Sequence, residues 1–171
     1  EATVFPRRTY SDLTWLGELE RIDVCVAMGS LPMFLRGDLD SFPKHGGYLS
    51  PSAELRRGWK DRLEQLGPGL KIGISWQGGT KLKFRRLRSI SLDQWKPLLS
   101  LPGVNFVNLQ YGDCAEEGDE VRQTLGVRIH DWDDADPLGD LDLWAAQVAA
   151  LDLVISVDNS TVHMAGALGV P

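Results

Sequence analysis

Cysteine is scarce in this sequence, and no apolar run is long. Only Cys25 and Cys114 occur among 171 residues, far apart and outside any Cys-x-x-Cys or Cys/His cluster, which argues against a disulfide framework or a zinc site. The longest apolar stretch, around 145–157, is interrupted by Asp152 and falls short of the ~20 apolar residues of a membrane-spanning helix. The first residue is Glu, and no basic and apolar leader is present. We therefore expect a cytoplasmic protein without a membrane span.

A broad positive face is also missing. The net charge is −6 and the pI is near 5.0, which argues against a general nucleic-acid binder or a binder of acidic membranes. The exception is local, because KLKFRRLR at 81–88 gathers basic side chains. These are Lys81, Lys83, Arg85, Arg86 and Arg88. The acidic stretch HDWDDADPLGDLD at 130–142 contains Asp-x-Asp pairs, which we interpret as solvated turns and a helix cap rather than a metal site.

From Leu70 onward, short apolar runs alternate with helical patterns, which is typical of a parallel sheet with crossover helices. The predicted strands are 70–76, 104–110, 127–130 and 152–157, and the predicted helices are 91–99, 114–125, 140–151 and 160–168. Before Leu70 the pattern predicts a helix at 10–22, a strand at 22–28, a connecting loop at 29–49 and a helix at 50–66. The sequence therefore predicts an α/β fold with a doubly wound parallel sheet over 70–171.

The predicted sheet also indicates where a ligand would bind. In doubly wound sheets the strand order reverses beside the first strand, and ligands bind outside the carboxyl ends of the strands that flank the reversal. With right-handed connections, the usual order places the fourth strand next to the first. We therefore expect the loop 77–90 and the turn 158–161 to face each other across one crevice.

Both segments have chemistry suited to an anion. The sequence Gln77-Gly78-Gly79-Thr80 lets the backbone approach a ligand closely, and the basic side chains that follow supply positive charge. The turn Asp158-Asn159-Ser160-Thr161 opens a helix whose first amides lack partners and whose dipole favours a negative group. His163 could donate to an oxyanion from the same helix. Together these features predict a diphosphate site.

Structural explanations exist for each feature taken alone. Asn159, Ser160 or Thr161 would serve as the N-cap of any helix, and a single histidine such as His163 is commonly structural. A basic loop is commonly a solvated face. The convergence of the two segments at one crevice is what favours binding.

The same segments resemble a known family. VDNSTVHMAGALGVP is similar to the Asp-Thr-Gly-x-x-His signature and following Ala-Ala-Leu-Gly-x-Pro of the bacterial heptosyltransferases, glycosyltransferase family nine. It is still more similar to the glycosyltransferase domains linked to tetratricopeptide repeats. GISWQGG with RRLRSISLDQW, and FVNLQYG, resemble further segments of that family, and 29–49 resembles the end of its amino-terminal domain. The resemblance is strong over 70–171 and moderate over 27–50.

The resemblance implies a GT-B architecture of two Rossmann-like domains, with a nucleotide-sugar donor bound by the carboxy-terminal one and no metal required. Residues 1–49 would end the amino-terminal α/β domain, 50–69 would be an interdomain linker helix, and 70–171 would be the donor domain, truncated before its fifth strand. By position, Asp158, Asn159, Ser160 and His163 match the diphosphate signature, and Arg88 matches a phosphate-contacting lysine. Gln110 and Glu116 fall where base and ribose contacts are expected. The predicted donor-binding set is Gln77, Gly78, Gly79, Arg88, Gln110, Glu116, Asp158, Asn159, Ser160, Thr161 and His163.

Two departures from the family matter. Asn159-Ser160 replaces Thr-Gly, so a side chain stands where the family has bare backbone. In the family the catalytic base comes from near the start of the amino-terminal domain, so we expect this chain to be a fragment that lacks it and is inactive alone. No catalytic residue is assigned within it. The exposed side of the fourth strand is expected to allow self-association.

The resemblance implies inverting transfer of a hexosyl or heptosyl group to a hydroxyl of a saccharide or protein acceptor. A sugar-nucleotide epimerase of the same architecture is one alternative, and a degenerate domain retained for protein interaction is another. A dinucleotide oxidoreductase fits less well. Gly78-Gly79 lacks the third spaced glycine, and Gln110 rather than an acid ends the second strand.

Overall fold

The computed structural model describes residues 13–43, 46–79 and 87–171. The chain divides into two compact units, Glu1–Lys44 and His45–Pro171. The described part of the first unit contains α1 (Leu31–Leu35) and the 3₁₀ turns Thr14–Glu18, Met28–Ser30 and Leu39–Ser41. The predicted helix over 10–22 is therefore reduced to one 3₁₀ turn within its described part.

The predicted strand over 22–28 is wrong. Its described backbone is irregular up to the 3₁₀ turn that begins at Met28, although Ile22, Val24 and Val26 alternate as in a strand. These three side chains are exposed. Alternation predicts a strand only where a neighbouring strand and a buried face are available, and the described residues of this unit offer neither.

The second unit is an α/β fold with a Rossmann-like, all-parallel sheet, as predicted. Its strands are β1 (Leu70–Ser75), β2 (Val104–Asn108), β3 (Ile129–His130) and β4 (Leu153–Ser156), in the spatial order β3-β2-β1-β4. The order of the strands therefore reverses at β1, since β2 and β3 lie on one side of β1 and β4 lies on the other. The predicted neighbourhood of the first and fourth strands is confirmed.

Helices cover both faces of the sheet, and some of them begin or end at residues typical of helix ends. They are α2 (Ala53–Glu64), α3 (Lys96–Leu99), α4 (Ala115–Leu125), α5 (Leu141–Val148) and α6 (Ser160–Leu168). Asp140 caps α5 by accepting from two backbone amides, and Gly126 ends α4 in the left-handed conformation. No helix in the described ranges is both long and apolar enough to cross a membrane.

β1 is buried on both faces of the sheet. Ile72 and Ile74 pack on one face with Phe106. On the other face, a Cβ at Gly73 would lie 2.4 Å from the Cδ1 atom of Leu109 and 2.6 Å from that of Leu151. This two-sided burial fixes the strand, and with it the position of the loop that follows it.

Residues 46–49 pack against the end of α6. The amides of Tyr48 and Leu49 donate to the carbonyl of Ala167 at 2.7 and 2.8 Å. These residues therefore belong to the compact unit that contains the sheet, His45–Pro171. On the outer edge of β4, the Val154 amide donates to the carbonyl of Pro171 at 2.8 Å, so part of the edge predicted to self-associate is covered.

Candidate functional site

The carboxyl ends of β1 and β4 lie side by side. Ser75 pairs with Ser156, and the amide of Val157 donates to the carbonyl of Ser75 at 3.0 Å. The segments 76–79 and 157–160 therefore leave the sheet together at the point where the strand order reverses. This is the position at which doubly wound sheets bind ligands.

Gly78 joins the two loops. A Cβ on Gly78 would lie 3.0 Å from the carbonyl oxygens of both Arg88 and Asp158, and 3.2 Å from the Cβ of Arg88. The Gly78 amide donates to Ser89 Oγ at 3.2 Å, and Gly79 follows with a φ of 87°. A residue with a side chain would require the neighbouring backbone to shift by a few tenths of an ångström, so glycine favours the close approach of these three backbone segments. We call this meeting of 76–79, 87–89 and 157–163 the crevice.

Charged side chains line the crevice. Arg88 Nη2 lies 2.5 Å from Asp158 Oδ2, and His163 Nε2 lies 3.9 Å from Asp158 Oδ1. The side chains of Arg88, Asp158 and His163 are 44%, 70% and 79% exposed, so solvent weakens these pairs and an anion can reach them. The structure thus brings three of the predicted site residues into one exposed cluster.

Asn159 has a structural role. Its Oδ1 accepts from the amide of Thr161 and from Ser156 Oγ, and its Nδ2 donates to Ser75 Oγ at 2.8 Å and to the Gln77 carbonyl at 3.0 Å. It is the N-cap of α6 and is 8% exposed. Asn159 is therefore the helix cap that the structural explanation expected, and its side chain also links the end of β4 to the end of β1 by hydrogen bonds.

Gln110 has a similar role at the end of β2. Its Oε1 accepts from Ser75 Oγ and from the amides of Trp76 and Gln77, at 3.0, 3.0 and 2.8 Å. Its Nε2 donates to the carbonyl of Tyr111. The side chain is buried, and it holds the beginning of the segment 76–79, which we call the glycine loop, where the resemblance implied a base contact.

The carboxylate that faces the glycine loop is Glu117, which sequence reasoning missed. Its oxygens accept from Trp76 Nε1 at 3.0 Å and from Gln77 Nε2 at 2.7 Å. Glu116, the predicted residue, is exposed on α4. Both acids lie in the first turn of α4, so the pattern favoured neither of them, and only the direction of the helix distinguishes them.

The remaining predicted residues differ in exposure. Thr161 is fully buried, and its hydroxyl lies 3.4 Å from the carbonyl of Leu109. Ser160 is exposed at the first position of α6. Thr80 and most of the basic cluster lie outside the described residues: Lys81, Lys83, Arg85 and Arg86.

Two cavities lie near the crevice, at the carboxyl ends of β2 and β3. One of about 250 Å³ is lined by Trp76, Cys114 and Gly118, and one of about 270 Å³ by Gln110 and Trp132. A larger cavity of about 820 Å³ lies elsewhere, between residues 46–51 and the end of α6. We place the candidate site at the crevice, because the exposed charged side chains of Arg88 and Asp158 and the imidazole of His163 converge there.

Two titrating groups line this edge of the sheet. Burial raises the pKa of the Cys114 thiol, and a hydrogen bond from Asn108 opposes that shift in part. Burial lowers the pKa of His130, with the positive charges of Arg128 and Lys71 adding to the effect. Within the described ranges, no group of three or more His, Cys, Asp or Glu side chains is placed to hold a metal ion.

Comparison with known proteins gives one relative. The chain is 41% identical over 165 residues to Protein FlbA of Caulobacter vibrioides, a match that covers 96% of this chain and 28% of the relative. No protein-family model matches the chain, and no solved structure gives a significant match. The chain is therefore similar to a segment that makes up 28% of the length of that relative.

Proposed function

We propose that this chain is the donor-binding region of a glycosyltransferase that transfers a sugar from a nucleoside-diphosphate sugar to an acceptor hydroxyl with inversion. The observation that carries the proposal is the contact of Gly78 with Arg88 and Asp158 at the reversal of strand order. It brings an arginine, a histidine and the beginning of α6 to one exposed edge, which is where the predicted diphosphate would need them.

The diphosphate would bind between Arg88 and the beginning of α6. A guanidinium binds phosphate through parallel hydrogen bonds, and the first amides of a helix favour a negative group. The carboxylate of Asp158 is the counter-ion of Arg88 in the structure. Because this pair is exposed and contributes at most about 1 kcal/mol, a diphosphate, which carries one negative charge on each phosphate, can displace Asp158 from the guanidinium.

The proposed chemistry needs little from this chain beyond charge stabilisation. A base supplied from outside the assigned residues removes a proton from the acceptor hydroxyl, whose oxygen forms a bond to the anomeric carbon. The bond from that carbon to the diphosphate oxygen breaks, and the diphosphate leaves with the electron pair. Arg88 and the beginning of α6 stabilise the charge on the leaving group, the kind of contact whose loss slows a reaction by about 10²- to 10³-fold.

A second candidate is a degenerate domain that serves protein interaction. It is favoured by the Arg88–Asp158 pair, which neutralises the cation of the crevice, and by the buried side chains of Gln110 and Asn159, which hydrogen-bond within the fold. Such a domain would bind no nucleoside diphosphate. A sugar-nucleotide epimerase would bind the donor but convert it without an acceptor, so product analysis on the whole protein separates it from a transferase.

Calorimetry with a panel of nucleoside diphosphates tests the proposal, with and without Mg²⁺. We expect at least one to bind without the metal, and Arg88→Ala to weaken its binding by about tenfold, which is the loss of one charge-assisted contact. Arg57→Ala, at an exposed position on α2, removes the same charge away from the crevice and should leave binding unchanged. Absence of binding across the panel would favour the interaction domain.

We also propose that the whole protein is cytoplasmic, and cell fractionation tests this location.

A further inference from the structure

Glu117 is hydrogen-bonded to two consecutive residues of the glycine loop. Trp76 donates its indole N–H to Glu117 Oε2 at 3.0 Å, and the side-chain amide of Gln77 lies 2.7 Å from both carboxylate oxygens. Trp76 is 1% exposed and Gln77 is 9% exposed. These are hydrogen bonds from buried donors to a charged acceptor, which is the stronger kind.

Consecutive side chains that reach the same carboxylate reveal the path of the backbone. In an extended strand, neighbouring side chains point to opposite faces of the sheet. Trp76 and Gln77 instead converge on Glu117, so the regular strand geometry ends here, directly after the last residue of β1. This irregular segment leads into Gly78, whose position between the backbones of Arg88 and Asp158 defines the crevice.

The backbone and the side chains of Trp76 and Gln77 are held by different partners. Gln110 accepts from the amides of Trp76 and Gln77, and Asn159 donates to the Gln77 carbonyl. Glu117 is the carboxylate that binds the two side chains. Within the described ranges it forms no ion pair, so its charge is compensated by hydrogen bonds from neutral donors, and losing them would leave a partly buried carboxylate unsatisfied.

We propose that Glu117 is a positioning residue of the crevice, which fixes Gly78 for the diphosphate by binding the side chains of both Trp76 and Gln77. The identity of the ligand in this role, a diphosphate, rests on the proposed function. In this role the carboxylate of Glu117 on α4 supports the glycine loop from the side away from the ligand. Gln77 is then a support of the loop and not a ligand contact.

The experiment compares Glu117→Gln with Glu120→Gln in the 171-residue chain. Glu120 lies one turn further along α4 and is exposed, so both variants remove one negative charge from the same helix. Hydrogen exchange is measured by NMR at the indole N–H of Trp76 and at the amide N–H of Gly78. We expect exchange at both groups to be about tenfold faster or more in Glu117→Gln, as for the loss of one charge-assisted bond, and unchanged in Glu120→Gln.

The same two variants are titrated with the nucleoside diphosphate that binds the unmodified chain most tightly. Weaker binding in Glu117→Gln alone, with unchanged binding in Glu120→Gln, supports the positioning role. Unchanged exchange at Gly78 in Glu117→Gln overturns it, whatever the affinities are. If the unmodified chain binds no nucleoside diphosphate, the proposed function fails, while the exchange rates still decide whether Glu117 orders the loop.

A second variant guards against unfolding of Glu117→Gln. Gln77→Met removes one donor and keeps the Trp76 bond. Faster exchange at the Gly78 amide, with the indole N–H of Trp76 still protected, supports the positioning role. Unchanged exchange at Gly78 in this variant counts against it.

Discussion

The side-chain amide of Asn159 donates a hydrogen bond of 3.0 Å to the backbone carbonyl of Gln77, and so connects the loop after β4 to the loop after β1. The same side chain caps α6 through Thr161. One buried residue therefore sets both the direction of the helix and the spacing of the crevice. Asn159, one of the residues predicted to bind the donor, thus also links two loops of the fold.

Asn159→Ala should lower the free energy of unfolding by about 2–4 kcal/mol. It removes a helix cap and leaves Ser75 Oγ and the Gln77 carbonyl without this donor in a buried place. Urea unfolding followed by circular dichroism measures the change. Ser160→Ala, at the exposed next position, should stay within about 0.5 kcal/mol of the parent. Equal losses in the two variants would contradict the role given to Asn159.

Gly78→Ala should lower the free energy of unfolding by about 1–3 kcal/mol and weaken nucleoside-diphosphate binding. The new Cβ would stand 3.0 Å from two backbone carbonyl oxygens, which cannot rotate away as a side chain could, so the crevice must widen. Gly118→Ala is the matched control, because a Cβ there meets no atom within 4 Å apart from the adjacent backbone of its own helix, and alanine favours the helix by up to ~1 kcal/mol. The two variants should therefore change stability in opposite directions, and a Gly78→Ala protein as stable as the parent would mean that the loops are not in close contact.

The sheet could be predicted from the sequence because apolar runs, glycines and caps are local signals. The order of β1 and β4 followed from the handedness of crossovers, and with it the meeting of Gly78 and Asp158. The roles of the polar residues could not be predicted in the same way. Gln110, Asn159 and Glu117 owe their partners to burial and to helix direction, which arise only when the elements pack.

The prediction of a strand before β1 was wrong because a local pattern does not show whether a segment has a partner strand. The alternation of Ile22, Val24 and Val26 is a local signal, and it needed a partner strand that the described part of the first unit does not contain. The local pattern therefore predicted strands correctly in the second unit, where each strand has a partner. It predicted a strand wrongly at 22–28, where the described residues offer no partner strand.

Asp158→Asn should strengthen the binding of a nucleoside diphosphate by about two- to fivefold at low salt. The carboxylate lies 2.5 Å from Arg88 Nη2 and competes with phosphate for the guanidinium, but both side chains are well exposed, so the gain is small. The gain should shrink as salt is added, since the charges are screened. Calorimetry at two ionic strengths checks this. A loss of affinity would show instead that the carboxylate contacts the ligand.

Stability near neutral pH should depend on His130. Burial, with Arg128 and Lys71 in addition, lowers the pKa of His130 below its ordinary value of 6.5 in the folded chain. Above that value the imidazole is neutral in both the folded and unfolded states, so protonation costs nothing. As the pH falls through 6.5, the unfolded state takes up the proton first, and the free energy of unfolding decreases until the pKa of the folded state is passed.

Urea unfolding between about pH 7.5 and pH 5.5 should therefore show a steeper decline of the free energy of unfolding in the parent than in His130→Gln. Parallel curves for the parent and His130→Gln would show that His130 is as well solvated when folded as when unfolded.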